Sequence, residues 1–180
     1  MIFGNKEKLA LVMNSISYIK GVNDYDCLCG FFINDNDYIS EVSVMFNVQR
    51  QSIIEGALNH IVDNSDYYHM DLDECFKSML LYRYLNFIAE SEDEYNDKDW
   101  INYGYNEFVY SANLESSSFG EDRYDLFCIG YKDEIRLISY KIANTYFSLK
   151  DLEQYKINEC FIKKNELEKI VYEIENAAFN

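Results

Sequence analysis

Residues 123–131, RYDLFCIGY, and 134–142, EIRLISYKI, are two runs rich in aromatic and β-branched residues, with only Lys132 and Asp133 between them. Such residues suit the pleated, half-buried surface of a strand. Two strands joined by so short a turn can pair only antiparallel, because a parallel return needs a crossover of about a dozen residues or more. A late hairpin is therefore the strongest local constraint on the fold. EFVYSANL at 107–114 reads as a strand preceding it, which makes a meander.

The first third of the chain repeats the pattern. KLALVMNSISYI (8–19) and DCLCGFFI (26–33) are apolar runs separated by the turn-prone KGVND, and a third, shorter strand is expected near YISEVSVMF after the polar NDND. The period then changes. Over 52–63, Ile53, Ile54, Ala57, Leu58, Ile61 and Val62 share one helical stripe, and Ser52 with Glu55 has the spacing of a capping box. A second helix is predicted over 72–88, with Asp71 as N-cap and Cys75, Phe76, Met79, Leu80, Tyr84, Phe87 and Ile88 at helical spacing. Both helices are expected to pack one face on the sheet.

The tail reads as a short helix at 148–154, a strand at 156–162 and a helix at 166–178. Asn165 and Glu168 give that last helix its start signal, and Leu167, Ile170, Val171, Ile174, Ala177 and Ala178 its apolar stripe. Strands grouped with strands and helices with helices indicate an α+β fold rather than βαβ units. At 180 residues the expectation is a single domain, 1–180, with an antiparallel sheet of about six strands packed against three or four helices.

Thirty-two acidic against sixteen basic residues give a net charge of -16. That field repels phosphate backbones and anionic lipid and attracts basic molecules, so neither direct nucleic-acid binding nor a membrane partner is expected. No apolar stretch approaches the roughly 20 residues of a membrane span, and the N-terminus lacks the pattern of a secretory signal. The five cysteines, Cys27, Cys29, Cys75, Cys128 and Cys160, are odd in number and mostly scattered, which fits reduced thiols in a cytoplasmic protein.

Catalytic constellations are sparse. The glycines stand alone at 4, 21, 30, 56, 104, 120 and 130, so no glycine-rich phosphate loop forms. His60 and His69, with Asp63, Asp66, Asp71 and Asp73, would be the ligands of a small metal-dependent hydrolase, but they lack a spacing such as H-E-x-x-H. A solvated loop carrying helix caps is the competing reading. Cys27 and Cys29 fall on the same strand face as Phe31 and Ile33, as core thiols would. Ser116 to Ser118 read as a loop. Carboxylates are too abundant for any pair to indicate glycoside chemistry. No catalytic residue, metal or cofactor is assigned, and the chain is expected not to be an enzyme.

AESEDEYNDKDW, residues 89–100, carries six carboxylates and one lysine. It is not a calcium loop: with Gly104 at position six, Ile101, Tyr103 and Tyr110 occupy positions that need oxygen ligands. Tyr95, Trp100, Tyr103 and Tyr105 are interleaved with the acids. Tyrosine and tryptophan anchor interfaces, while carboxylates steer a basic partner. The candidate binding residues are Glu92, Asp93, Glu94, Asp97 and Asp99 for steering and Tyr95 and Trp100 for anchoring. A solvated turn, with Trp100 in the core, is the alternative.

The opening MIFGNKEKLALVMNSI resembles that of bacterial immunity proteins of polymorphic-toxin and contact-dependent growth inhibition systems. The resemblance rests on a Met-Ile-x-Gly-Asn motif, here Met1, Ile2, Gly4 and Asn5, leading into a first strand from Leu9 to Ile16. It extends in outline to a hairpin at Cys29–Tyr38 and another at Glu121–Ile142 followed by a strand and a helix. It implies a cytoplasmic immunity protein that binds the C-terminal domain of a cognate toxin one to one and occludes its active or substrate-binding site. The toxin is expected to be a basic nuclease, which an acidic protein suits. An acidic DNA-mimic decoy, which would bind several unrelated DNA-binding proteins, stands beside the metal-dependent hydrolase as an alternative.

Overall fold

The computed structural model describes residues 1–59, 61, 63–78, 123–142 and 155–178. Strands β1 (Ile2–Asn5), β2 (Leu9–Ile19), β3 (Asp24–Ile33) and β4 (Asn36–Met45) form one antiparallel sheet in chain order. Strands β5 (Arg123–Tyr131), β6 (Glu134–Ile142) and β7 (Asn158–Lys163) form a second. The helices are α1 (Phe46–Asn59), α2 (Ser65–His69), α3 (residues 72–78) and α4 (Lys164–Glu175). The class is α+β, as the order of elements implied, but the described strands number seven and lie in two sheets rather than one. The expected strand at 107–114, the helix at 148–154 and the part of helix 72–88 beyond residue 78 fall outside the described residues.

The late hairpin has the predicted bounds. Tyr131 pairs with Glu134 and Arg123 with Ile142, and Lys132 supplies the positive φ of 54° that turns the chain. At the other two-residue turn, Asn34 and Asp35 both have positive φ, 49° and 62°. This is the conformation whose twist matches a hairpin, and Asn and Asp tolerate it best among residues with a Cβ. With no longer connection needed, β4 runs the full ten residues to Met45 and is not the shorter strand expected.

Strand β1 has no counterpart in the sequence reading, since four residues cannot display a period. Its Gly4 explains half of the opening motif. Its φ is 99°, and a Cβ there would lie 2.6 Å from the Leu9 carbonyl oxygen and 2.7 Å from Ile170 Cδ1 of α4. Asn5 turns the chain into β2: its backbone carbonyl accepts from Lys8 N at 3.0 Å and its side chain from Glu7 N at 3.0 Å.

Two helix starts differ from expectation for one reason, a cap that is not the local consensus. Helix α1 begins at Phe46, leaving Ser52 and Glu55 inside it. Its N-terminus is met by Asp24, buried at the start of β3, whose carboxylate oxygens accept from Asn47 N at 3.1 and 3.3 Å. A carboxylate there satisfies an orphan N–H and opposes the positive end of the helix dipole. Helix α4 follows β7 without a loop, and Glu166 Oε2 accepts from Lys163 N at 2.8 Å, so Asn165 and Glu168 are not its cap. Asp71 does start α3 as predicted, accepting from Asp73 N at 3.0 Å and Glu74 N at 3.4 Å.

The main core lies where both sheets meet α4 and α1. Leu9, Leu11 and Met13 of β2 alternate inward beside Cys27, Cys29, Phe31 and Ile33 of β3. Leu126, Cys128, Ile135, Leu137, Cys160 and Ile162 come from the second sheet, and Leu167, Ile170, Val171 and Ile174 from α4. On the opposite face of the second sheet, Phe127, Ile129, Ile138 and Tyr140 bury Tyr67, Tyr68, Cys75 and Phe76 of α2 and α3. Covering on both faces is why Leu126 to Gly130 are buried without a break, and why that strand reads as a continuous apolar run.

Gly30 sits where β3 and β4 shift register, and a Cβ there would fall 2.2 Å from the Tyr38 carbonyl oxygen and 2.7 Å from Ile39 Cα. The nearest atoms are all β4 backbone, so nothing flexible is there to yield. Gly30→Ala should lower the unfolding free energy by about 1–3 kcal/mol. Gly21→Ala, in a turn with nothing within 4 Å, should change it by less than about 0.5 kcal/mol. Denaturant midpoints of the two variants measure the difference.

Candidate interaction surface

The segment 63–74, DNSDYYHMDLDE, contains five carboxylates and no lysine or arginine. It builds α2 and the start of α3, and its aromatic residues divide between two sides. Tyr67 and Tyr68 point into the second core cluster, while Asp66 and His69, three apart, share the exposed side of α2. Asn64 starts the helix, its side chain accepting from Tyr67 N at 3.2 Å.

One buried cation holds this segment down. Arg136, on the central strand β6, is 2% exposed. Its Nε donates to Glu159 Oε1 on β7 at 2.6 Å, and its Nη1 donates to the carbonyls of Tyr67 at 2.7 Å, Met70 at 2.7 Å and Tyr68 at 3.3 Å. These are the unsatisfied carbonyls at the C-terminal end of α2, where a positive charge is favoured. Beside it the Tyr68 hydroxyl donates to Glu134 Oε2 at 2.7 Å, and Lys163 Nζ donates to Glu134 and Asp133 at 2.8 and 3.0 Å. Those bonds from Lys163 hold both carboxyls below the usual range, and burial with the bond to Glu134 pushes the Tyr68 hydroxyl up to about 12.

The outer side of this layer is aromatic and acidic. The His69 ring stands edge-on to Tyr68 at 5.1 Å and to Tyr131 at 4.8 Å, and Tyr68 meets Phe161 of β7 at 5.7 Å. Phe161 is 48% exposed. Asp66, on α2 with His69, and Asp73 and Glu74, in the first turn of α3, are exposed.

Of the residues proposed as metal ligands, the described ones are not brought together. His60 lies outside the described residues. Asp63 accepts from Lys164 Nζ at 2.7 Å and Lys132 N at 3.3 Å, Asp66 from Ser65 Oγ at 3.3 Å, and Asp71 caps α3. Among the described residues no group of three His, Cys, Asp or Glu side chains is placed to hold a metal ion. All five thiols are buried and unbridged, with Cys27 and Cys29 in the main core as their spacing implied. Burial pushes Cys27 and Cys75 up to about 11 and Cys29 and Cys128 up to about 12, the opposite of an activated nucleophile. A groove of about 330 Å³ between β1 and α4 is lined by Lys8, Glu166, Lys169 and Glu173. These form the ion pairs Lys8–Glu166 at 2.8 Å and Lys169–Glu173 at 4.0 Å.

The seven residues chosen from sequence, Glu92, Asp93, Glu94, Tyr95, Asp97, Asp99 and Trp100, lie outside the described residues. What that reading missed is that DNSDYYHMDLDE mixes acids with aromatics as 89–100 does. It also passed over Arg136, whose signal is a cation between the apolar residues Ile135 and Leu137.

The immunity protein 42 (Imm42) family model matches residues 1–177. The chain belongs to the immunity protein 42 family. The kind of family implied by Met1, Ile2, Gly4 and Asn5 is thus the one found. In fold, this Imm42 member is similar to the crystal structure of CdiI from Burkholderia dolosa AUO158, with a TM-score of 0.67 over 97% of this chain and 98% of that one. The two are 13% identical, so the likeness is one of architecture. No curated protein matches the Imm42 chain in sequence. Among the described residues no helix is long and apolar enough to cross a membrane.

Two outcomes follow from this geometry. Arg136→Ala strands Glu159 and three carbonyls, and should cost about 3–5 kcal/mol by chemical denaturation. Arg136→Lys should recover little of that loss, because a single ammonium lacks the fork that reaches both β7 and α2. The thiols give a pH dependence. Each has a folded pKa above its unfolded value of 9.0, so burial of the neutral form favours the fold below that pH. Stability should therefore fall as pH rises from 9 through about 12, and thermal melts over that range follow it.

Proposed function

We propose that this Imm42 protein neutralises a cognate toxin by binding the toxin's C-terminal domain in a one-to-one complex and covering its active or substrate-binding surface. The whole chain serves as one immunity-type domain without catalytic activity of its own, acting in the cytoplasm of the cell that makes the toxin. The observation that carries this reading is the family match across 1–177. The architectural likeness to CdiI supports a contact-dependent growth inhibition setting.

Charge supports the class of toxin. At -16, the protein attracts a basic surface of the kind that a nuclease needs to hold a phosphate backbone. An acidic inhibitor competes for that surface with the field the nucleic acid uses, which favours fast association and excludes acidic partners. The segment 89–100 is part of the proposed contact, with Glu92, Asp93, Glu94, Asp97 and Asp99 steering and Tyr95 and Trp100 anchoring.

Replacing Asp93, Glu94 and Asp97 together by lysine should slow association with the toxin domain by about tenfold or more at low ionic strength, and less as salt screens the field. Growth protection should weaken in parallel. Stopped-flow association across a salt series checks this, and an unchanged rate removes the segment from the interface. Tight binding to several unrelated basic DNA-binding proteins would instead mark a general DNA mimic.

A further inference from the structure

The aromatic and acidic face over α2 and the second sheet packs inward on Tyr68 and leaves its outer side uncovered among the described residues. His69 is exposed, Tyr131 is partly exposed and Phe161 is 48% exposed, yet their rings are fixed by contact with Tyr68. Rigid rings of this kind lose little freedom on binding, and aromatic anchors ringed by polar residues carry most of the energy in protein interfaces. The local charge selects what they bind. Asp66, Asp73 and Glu74 are exposed, and none lies within ion-pair distance of a cation among the described residues.

Two of the nearby lysines are held by other carboxylates. Lys163 is taken up by Asp133 and Glu134, and Lys164 by Asp63. Lys132 is exposed and lies over the Tyr131 ring, 4.7 Å from its centroid, so one face of that ring already holds a cation and the faces left to a partner are those of Phe161 and His69. Among the described residues Lys77, one turn further along α3, is a further cation near Glu74 in sequence.

We propose that this face, centred on His69, Tyr131 and Phe161 and rimmed by Asp66, Asp73 and Glu74, is a docking surface for the basic toxin domain. It rests on the toxin-binding reading above and adds a location to it. Lysine and arginine side chains of the toxin meet the rings by cation–π contact and the carboxylates by ion pairing, while Arg136 beneath keeps α2 from shifting under load. Among the described residues a second exposed apolar region, around Ile16, Val22, Met45 and Val48 at the far end of the β2–β3 hairpin, has more apolar surface but no such concentration of exposed acid. It fits a basic partner less well.

The test uses the full-length protein and, as probe, the purified C-terminal domain of the toxin encoded beside its gene. Three variants are compared after their melting temperatures confirm folding: His69→Ala with Phe161→Ala, Asp66→Lys with Asp73→Lys and Glu74→Lys, and Ile16→Ser with Val22→Ser. The ring variant should dissociate about tenfold faster or more, and the charge variant should associate about tenfold slower at low ionic strength. The hairpin variant should bind as the unaltered protein does. If the ring and charge variants keep normal rates while the unaltered protein binds tightly, this face is not the docking surface and the toxin-binding reading stands. Loss of binding in the hairpin variant alone moves the interface to that end. Failure of the unaltered protein to bind overturns both.

Discussion

The guanidinium of Arg136 is the point at which the layers of this protein are tied together. It leaves the central strand of the second sheet, pairs with Glu159 on β7 and fills the carbonyl end of α2. Glu159 in turn gives its backbone carbonyl to Asn34 Nδ2 at 2.7 Å, which joins the turn of the first sheet to the edge of the second. A buried arginine is costly to desolvate, and an apolar residue of the same size often stabilises a core as well. What an apolar residue lacks is direction. The fork's bonds to Glu159 and to the carbonyls of Tyr67 and Met70 tie α2 to β6 in one orientation, and what α2 presents outward follows from it.

The division of the second sheet's two faces follows from the same arrangement. One face carries Cys160, Ile162, Ile135 and Leu137 to the main core, and the other carries Ile138 and Tyr140 to α2 and α3. Phe161, next to Cys160 and on the opposite face, falls at the margin where the helical cover ends. A strand position that the pleat turns away from the core and the helices do not reach has nowhere to go but the surface.

Local features were legible in the sequence and distant ones were not. Strands β5 and β6 could be bounded to the residue because a two-residue connection fixes both ends, and the stripe Leu167, Ile170, Val171 and Ile174 because burial repeats along one helix. Helix α1 was misplaced because Asp24 reaches its N-terminus from another strand, and no local window contains that contact. Periodicity told strands from helices but not which strands pair, so one sheet was expected where two exist. The acidic character of the chain was plain from composition. The His69, Tyr131 and Phe161 group was not, since its members come from three separate elements and are gathered around Tyr68 only by the fold.

The Met-Ile-x-Gly-Asn opening can be read anew from the fold. Gly4 is there because α4 passes so close that Ile170 would strike any side chain, and Asn5 because it closes the turn into β2. The motif thus records how the first strand docks under the last helix. Of the docking face it says nothing. Two chains that share it share a way of folding, and neither inherits the other's adversary.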